Sequence, residues 1–141
     1  MKRVILLSMF VLAVILPGLV CAQESLTPQE AALKVAETWL AKLDQGLYDE
    51  CWQDSAEYFR AAVDQETSIQ YLKAFRAPLG NVISRTVVSQ DYMLSLPGAP
   101  DGEYVVIVFK TEFENKKEGY ETITPQLDVG GDWRVSGYYI K

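Results

Sequence analysis

The stretch LPGAPDGEYVVIVFKTEF, Leu96 to Phe113, decides the fold because it joins a turn to a strand that is apolar on both faces. The Pro-Gly and Asp-Gly dipeptides are turn signals, and every residue from Tyr104 to Phe109 is apolar. A half-exposed strand alternates apolar and polar residues, so an unbroken apolar run indicates that both of its faces are covered. This strand therefore predicts a sheet with helices on one face and a contact surface on the other.

Alternating patterns continue on both sides of this stretch. We predict strands near residues 82–95, 103–113, 119–127 and 132–140, linked by PGAPDG, ENKKEG and VGGD. Each link contains glycine and polar turn residues, as hairpins require. Because short links make successive strands antiparallel neighbours, the strands are predicted to form a four-stranded meander.

Three helical patterns precede the strands. The first, TPQEAALKVAETWLAKLDQG, opens with Thr27 as N-cap, Pro28 at the first helical position and Glu30 completing a capping box. The second is YDECWQDSAEYFRAAV, and the third begins after Asp64 and ends before Pro78. Amphipathic helices bury their apolar stripes against a sheet, so we predict an α+β domain with three helices on one face of a curved sheet.

Residues 1–22 have the pattern of a secretory signal peptide, with a basic start, an apolar run and small residues before the predicted cleavage site, Ala22-Gln23. Residues 23–30 are predicted to be a short linker and helix cap, and 31–141 a single domain. The mature protein is expected to be periplasmic or secreted. Membrane attachment would require a lipidated Cys21, which is disfavoured because Val20 replaces the small residue that a lipoprotein signal has at this position. Cys51 is then the single mature cysteine, expected to be a small buried side chain.

The charge and composition exclude several classes of function. The chain has 13 basic and 19 acidic residues, and removal of Lys2 and Arg3 with the signal leaves a net charge of −8 (11 minus 19). Nucleic acid is therefore not a predicted partner, since phosphate binding depends on clustered basic residues. The chain contains no histidine, which rules out Ser-His-Asp and Cys-His catalysis. We predict no cofactor, no metal site and no catalytic residue, and an enzymatic role is the less favoured one.

Several longer motifs carry a resemblance to a known family. They are AETWLAKLDQGLYDECW, YFRAAV, FRAPLG followed by SRTV, LPGAPDGEYVV, and TITP with WRVSGYYI. These motifs resemble a bacterial family, the domain of unknown function 4019. The similarity extends from about Ala36 to Ile140 and implies small exported bacterial proteins without an assigned activity. The order of helices and strands is also similar to the cystatin-like cone of the nuclear-transport-factor-two superfamily. That resemblance implies a fold and not a function. The family also leads us to expect a tryptophan in the third helix, where this sequence has Ile69.

A polar cluster is predicted inside the cone. If Ile83 and Val87 face the helices, Arg85 does so too, and the same parity turns Glu121 inward, with Arg76 near the mouth. One interpretation is a pocket for a small anion or polar ligand. The other is a structural ion pair, because buried charges are normally paired.

The opposite face of the sheet is predicted to be a surface of association. Because alternate residues of a strand point to opposite faces, four residues are predicted to face the helices: Val105, Ile107, Phe109 and Phe113. The remaining apolar residues then form a patch on the far face. The predicted members of this patch are Tyr104, Val106, Val108, Val88 and Tyr138. Monomeric proteins rarely expose large apolar patches. We therefore expect a non-catalytic association module that forms a homodimer through its sheet. The alternative is a small-ligand-binding or weakly enzymatic cone around Arg85 and Glu121.

Overall fold

A computed structural model of the protein describes residues 25–141. The predicted signal peptide, its cleavage site and Cys21 lie outside the described residues. Within residues 25–141, no helix combines the length and the apolar character needed to cross a bilayer.

Helices form the first half of the described chain. Thr27 and Glu30 form the predicted capping box at the start of the first helix, whose apolar stripe includes the buried Trp39, Leu40 and Leu43. The third predicted helix begins as expected after Asp64, whose side chain accepts a hydrogen bond from the Thr67 amide. The observed α-helices are α1 (Pro28–Asp44), α2 (Tyr48–Gln53), α3 (Glu57–Ala62) and α4 (Gln65–Arg76), followed by a 3-10 turn, Ala77–Leu79.

The prediction of one continuous helix from residue 48 to 63 is wrong, because the chain leaves the helix between α2 and α3. Ala56 has extended backbone angles, and its amide donates to the Val135 carbonyl at 2.8 Å. The Ser55 hydroxyl donates to the carbonyl of Cys51. A hydrogen bond to a distant strand thus replaces the next helical bond. The apolar spacing of three and four residues continues across this break and conceals it.

The predicted four-stranded antiparallel meander is confirmed, with the strands in the order β1-β2-β3-β4. Successive strands pair antiparallel. The β3 strand begins at Lys116 rather than at residue 119, because the link from β2 is the tight turn at Glu114 and Asn115. The strands are β1 (Val82–Met93), β2 (Tyr104–Phe113), β3 (Lys116–Leu127) and β4 (Trp133–Ile140).

The core lies between α1 and one face of the sheet. Residues that are opposite each other on paired strands project to the same face, so the register identifies the two faces. As parity predicted for β2, Val105, Ile107 and Phe109 are buried against the helices, together with Ile123 from β3. Phe113 is also fully buried. The helices therefore cover one face only. Part of the second face of β2 is covered by the loop between β1 and β2, as described below.

Two irregularities in β1 change which of its residues face the helices. The register with β2 shifts between Val82 and Ser84 and again between Val87 and Ser89, so Ile83 and Val88 are extra residues at bulges. The expectation that Ile83 faces the helices is wrong, since 60% of this residue is exposed. Arg85 lies between the bulges, opposite Thr111, and does point toward the helices.

A closed charge network beside an aromatic cavity

Arg85 and Glu121, from β1 and β3, are in direct contact. Arg85 Nε donates to Glu121 Oε2 at 2.7 Å, and Nη2 donates to Oε1 at 3.1 Å. Two parallel hydrogen bonds of this kind fix both the distance and the orientation of the two groups. The alternation of residues along two separate strands was sufficient to predict this contact.

Asp44, the last residue of α1, joins Arg85 to Arg76. Its carboxylate accepts from Arg85 Nη1 and Nη2 at 2.7 and 3.1 Å, and from Arg76 Nη2 at 3.0 Å. Arg76 also donates to the Gly80 carbonyl at 2.6 Å and lies 4.9 Å from the centre of the Phe113 ring. Sequence reasoning missed Asp44. One signal was present, because an acidic residue at a helix C-terminus is unfavourable unless a cation compensates it.

Glu121 is fully buried and receives two further hydrogen bonds. Thr111 Oγ1 donates to its Oε2, and the Tyr138 hydroxyl donates to its Oε1 at 2.7 Å. Burial, and next the neighbouring Glu121 carboxylate, raises the pKa of Tyr138, so its phenol remains a proton donor. For Arg85, burial is the largest single influence and disfavours the charge. The hydrogen bonds to Asp44 and Glu121 outweigh it, and the pKa of Arg85 is raised.

This network contains two guanidinium groups and two carboxylates, and it is closed in the sense that these groups bond to one another and to Gly80, Thr111 and Tyr138. All three guanidinium nitrogens of Arg85 donate to Asp44 or Glu121. The two cavities described below are not lined by Arg76, Arg85 or Glu121. The geometry of the predicted polar pocket is thus that of a saturated ion-pair cluster.

An aromatic cavity of about 450 Å³ lies between α3, α4 and β4. None of its lining residues carries a charge. Tyr138 connects the cavity to the charge network, since its ring lines the cavity while its hydroxyl binds Glu121. The ring of Tyr138 also packs against Trp39, with 5.4 Å between the ring centres. The lining residues are Trp39, Ser55, Phe59, Val63, Thr67, Ser68, Tyr71, Leu72, Val135, Gly137, Tyr138 and Tyr139.

A second cavity of about 390 Å³ shares Trp39 with the first, and most of its lining residues are polar or charged. It is formed by α1 and by the chain around the start of β4, with both signs of charge on its walls. Its lining residues are Lys34, Val35, Thr38, Trp39, Asp54, Asp132, Trp133 and Arg134. Within residues 25–141, no group of carboxylates, cysteines or histidines is arranged to hold a metal ion.

The predicted association surface is only partly present on the far face of the sheet. Val106 and Val108 are half-buried there, and Val88 is 57% exposed at its bulge. The prediction that Tyr138 lies on the far face is wrong. An irregularity in the β3–β4 pairing leaves Tyr138 opposite Ile123, on the face that packs against the helices.

Tyr104 projects to the far face but is not available for contact. Only 1% of it is exposed. Its hydroxyl donates to the Pro100 carbonyl at 2.6 Å, so the loop between β1 and β2 folds over it. Part of the second face of β2 is therefore covered by the chain itself.

Cys51 is fully buried on α2, as expected, and its environment suppresses thiol chemistry. Burial, followed by the nearby Asp54 carboxylate, raises the pKa of the Cys51 thiol to about 12. The nucleophilic thiolate is therefore scarce at neutral pH. We expect a disulfide reagent such as dithionitrobenzoate to react with native protein comprising residues 23–141 at pH 8 at least 100-fold more slowly than with the same protein in 6 M guanidinium chloride. Equal rates in both conditions would contradict this assignment.

Together, the fold and the site define a small α+β domain with an internal ion-pair network and an aromatic cavity beside its last strand. Residues 35–138 match the model of a family described as Protein of unknown function (DUF4019), and the chain belongs to this family. The resemblance to the domain of unknown function 4019 is thereby confirmed. A comparison with curated proteins finds no match.

Proposed function

We propose that the protein is a non-catalytic binding protein and that its binding site is the aromatic cavity between α3, α4 and β4. The observation that carries this proposal is a cavity of about 450 Å³ with uncharged, mostly apolar walls that include five aromatic side chains. Cavities of roughly 300–1,000 Å³ with apolar walls and a few polar groups are typical of small-molecule sites. The preferred ligand is accordingly a neutral aromatic or apolar group.

The closed charge network supports a binding role over a catalytic one. A general acid or base must reach the substrate, whereas Glu121 is fully buried and bonded to three side chains: Arg85, Thr111 and Tyr138. The alternative predicted from the sequence was a small-ligand site around Arg85 and Glu121. The present proposal keeps a small-ligand site but locates it in the aromatic cavity. In this proposal Arg85 and Glu121 stabilise the wall of the cavity and do not bind the ligand.

The proposal is tested with N-phenyl-1-naphthylamine, a neutral dye whose fluorescence rises in apolar surroundings. We expect saturable binding of one dye molecule to the wild-type mature protein. The change Ser68→Phe introduces a ring from a buried position on the cavity wall. It is expected to weaken dye binding at least tenfold because the added ring fills the space.

The matched control is Gln70→Phe, which adds the same ring to an exposed position of α4 that does not line the cavity. Its dye affinity should stay within about twofold of the wild type, because single exposed apolar side chains are well tolerated. Circular dichroism establishes that both variants are folded. The absence of saturable binding to the wild type, or equal loss in both variants, would overturn the proposal.

A second candidate function is self-association through the far face of the sheet, in a periplasmic or secreted homodimer. It is favoured by exposed apolar residues on and beside the β1 edge, which are Val88, Met93 and Leu94. Val88 lies at the bulge beside the half-buried Val108, and Met93 pairs with Tyr104, two residues from the half-buried Val106. The partner in this candidate is a second copy of the chain, because a two-fold axis places the same patch on both partners.

Val106→Asp tests the second candidate. A carboxylate at the centre of the far face would be desolvated in a dimer but hydrated in a monomer. We expect the wild type to be dimeric in size-exclusion chromatography with light scattering, and the variant to be at least tenfold weaker in association. The variant should remain folded, with a melting temperature lowered only slightly because the new carboxylate lies opposite Asp91. Thr86→Asp, on the exposed part of β1 outside the apolar patch, serves as control. A wild type that is monomeric at both low and high concentration would remove this candidate.

A further inference from the structure

The outer edge of β4 runs along the aromatic cavity. This strand is last in the sheet order and pairs with β3 on one side only. Three consecutive residues of β4, Gly137, Tyr138 and Tyr139, line the cavity. The cavity therefore adjoins main-chain atoms as well as aromatic rings.

The pairing with β3 determines which main-chain groups point to this edge. Lys141 and Tyr120 exchange both of their main-chain hydrogen bonds, each at 3.0 Å. Opposed residues in antiparallel pairs alternate between bonded and non-bonded, so Tyr139 bonds to β3 and Ile140 does not. By the same alternation, the N–H and C=O groups of Tyr138 and Ile140 point away from β3. Among residues 25–141, no main-chain or side-chain group forms a hydrogen bond with these groups.

The preceding part of the same edge already binds extended chain. The Val135 carbonyl accepts a hydrogen bond from the Ala56 amide, and the neighbouring Ser55 forms a parallel β-bridge with Val135. The connection between α2 and α3 thus acts as a short extra strand that stops at this point. From Ser136 to Ile140 the edge also lacks the lysine or proline residues that commonly block strand addition.

We propose that the cavity holds an aromatic or apolar side chain of an extended peptide whose main chain adds to β4 at residues 136–140. This inference rests on the proposed function and specifies its ligand class. Strand addition takes affinity from main-chain hydrogen bonds and specificity from a pocket for alternate side chains, and this edge provides both.

The size of the open edge favours a peptide over a second folded copy. Residues 136–140 span roughly 16 Å of extended chain. The edge is bounded on one side by the α2–α3 connection, and α3 and α4 form the opposite wall of the cavity. A stable protein dimer usually buries about 1,200–2,000 Å², which this recessed segment does not provide.

Hydrogen exchange followed by NMR tests the inference on the mature protein. The probe is the pentapeptide acetyl-Thr-Val-Phe-Val-Thr-amide, and N-phenyl-1-naphthylamine is the comparison ligand. At saturation, the peptide should slow the exchange of the Tyr138 and Ile140 amides at least tenfold. The dye should leave both rates unchanged because it has no main chain. The amides of Gly137 and Tyr139, which point toward β3, are internal controls that should not change with either ligand.

The outcomes separate this inference from the proposed function. If the dye binds but the peptide leaves Tyr138 and Ile140 unprotected, the peptide inference is wrong and the cavity remains a binding site. If neither probe binds, both proposals fall. Protection by the peptide in the wild type that is lost in Ser68→Phe would establish that main-chain pairing and cavity occupancy occur together.

Discussion

Replacing Arg85 with methionine is expected to lower the free energy of unfolding by about 3–5 kcal/mol. The substitution removes the positive charge that is bonded to both Asp44 and Glu121, and Glu121 is fully buried. An unpaired carboxylate in that position has no water to solvate it. Chemical denaturation of the protein comprising residues 23–141, monitored by circular dichroism, measures the change.

Lys110→Met is the matched control, since it removes a cation from the exposed pair between Lys110 and Glu118. Its effect should be below about 1 kcal/mol, because water screens surface ion pairs. The double variant Arg85→Met with Glu121→Met should recover part of the loss, since it removes both charges of one pair. An Arg85→Met variant that denatures at the wild-type midpoint would contradict a structural role for the network.

Truncating Trp39 to alanine is the second substitution with a large expected effect, a loss of about 3–5 kcal/mol of stability. Trp39 is 4% exposed, packs against Tyr138 and belongs to the core. It also lines both cavities, so its removal is expected to join them. Thermal and urea denaturation measure the loss, and dye binding reports on the enlarged cavity.

Trp39→Phe separates packing from hydrogen bonding at the same position. The indole Nε1 donates to the Cys51 carbonyl at 2.8 Å, and phenylalanine leaves this buried acceptor with the Ser55 hydroxyl as its remaining side-chain donor. We expect a loss of about 0.5–1.5 kcal/mol from the removed hydrogen bond. The position of Trp39 indicates that its ring stabilises the cavity wall, so Trp39→Ala should be less stable than Trp39→Phe. Equal stability of the two variants would contradict this role.

The charge network and the cavity are physically coupled through Tyr138. Its hydroxyl is held by Glu121, Glu121 is held by Arg85, and its ring forms part of the cavity wall. Loss of Arg85 should therefore weaken dye binding as well as stability, although Arg85 does not line the cavity. This coupling explains why a polar cluster and an apolar site lie side by side in one small domain.

The sequence predicted those parts of the fold that depend on local periodicity. Capping residues located the start of α1, and alternation located the strands and the inward direction of Arg85 and Glu121. Parity was reliable for β2, whose register is regular through Val105, Ile107 and Phe109. It was not sufficient in β1, where bulges exposed Ile83.

Features that depend on long-range contacts were not predictable in the same way. The break between α2 and α3 is stabilised by a bond from Ala56 to Val135, which is distant in sequence. Tyr104 is covered by a loop that closes through Pro100. The aromatic cavity draws its walls from α1, α3, α4 and β4 and the α2–α3 connection, so no single stretch of sequence contains its pattern.

The most direct measurement is a protein-observed NMR titration of wild-type residues 23–141 with N-phenyl-1-naphthylamine. If the aromatic cavity is the binding site, saturable shifts will be confined to residues on its walls, including Ser68, Leu72 and Tyr138. Val106 and Val108, on the far face of the sheet, should not respond. Shifts that centre on Val106 and Val108, or spectra that remain unchanged at saturating dye, would contradict this assignment.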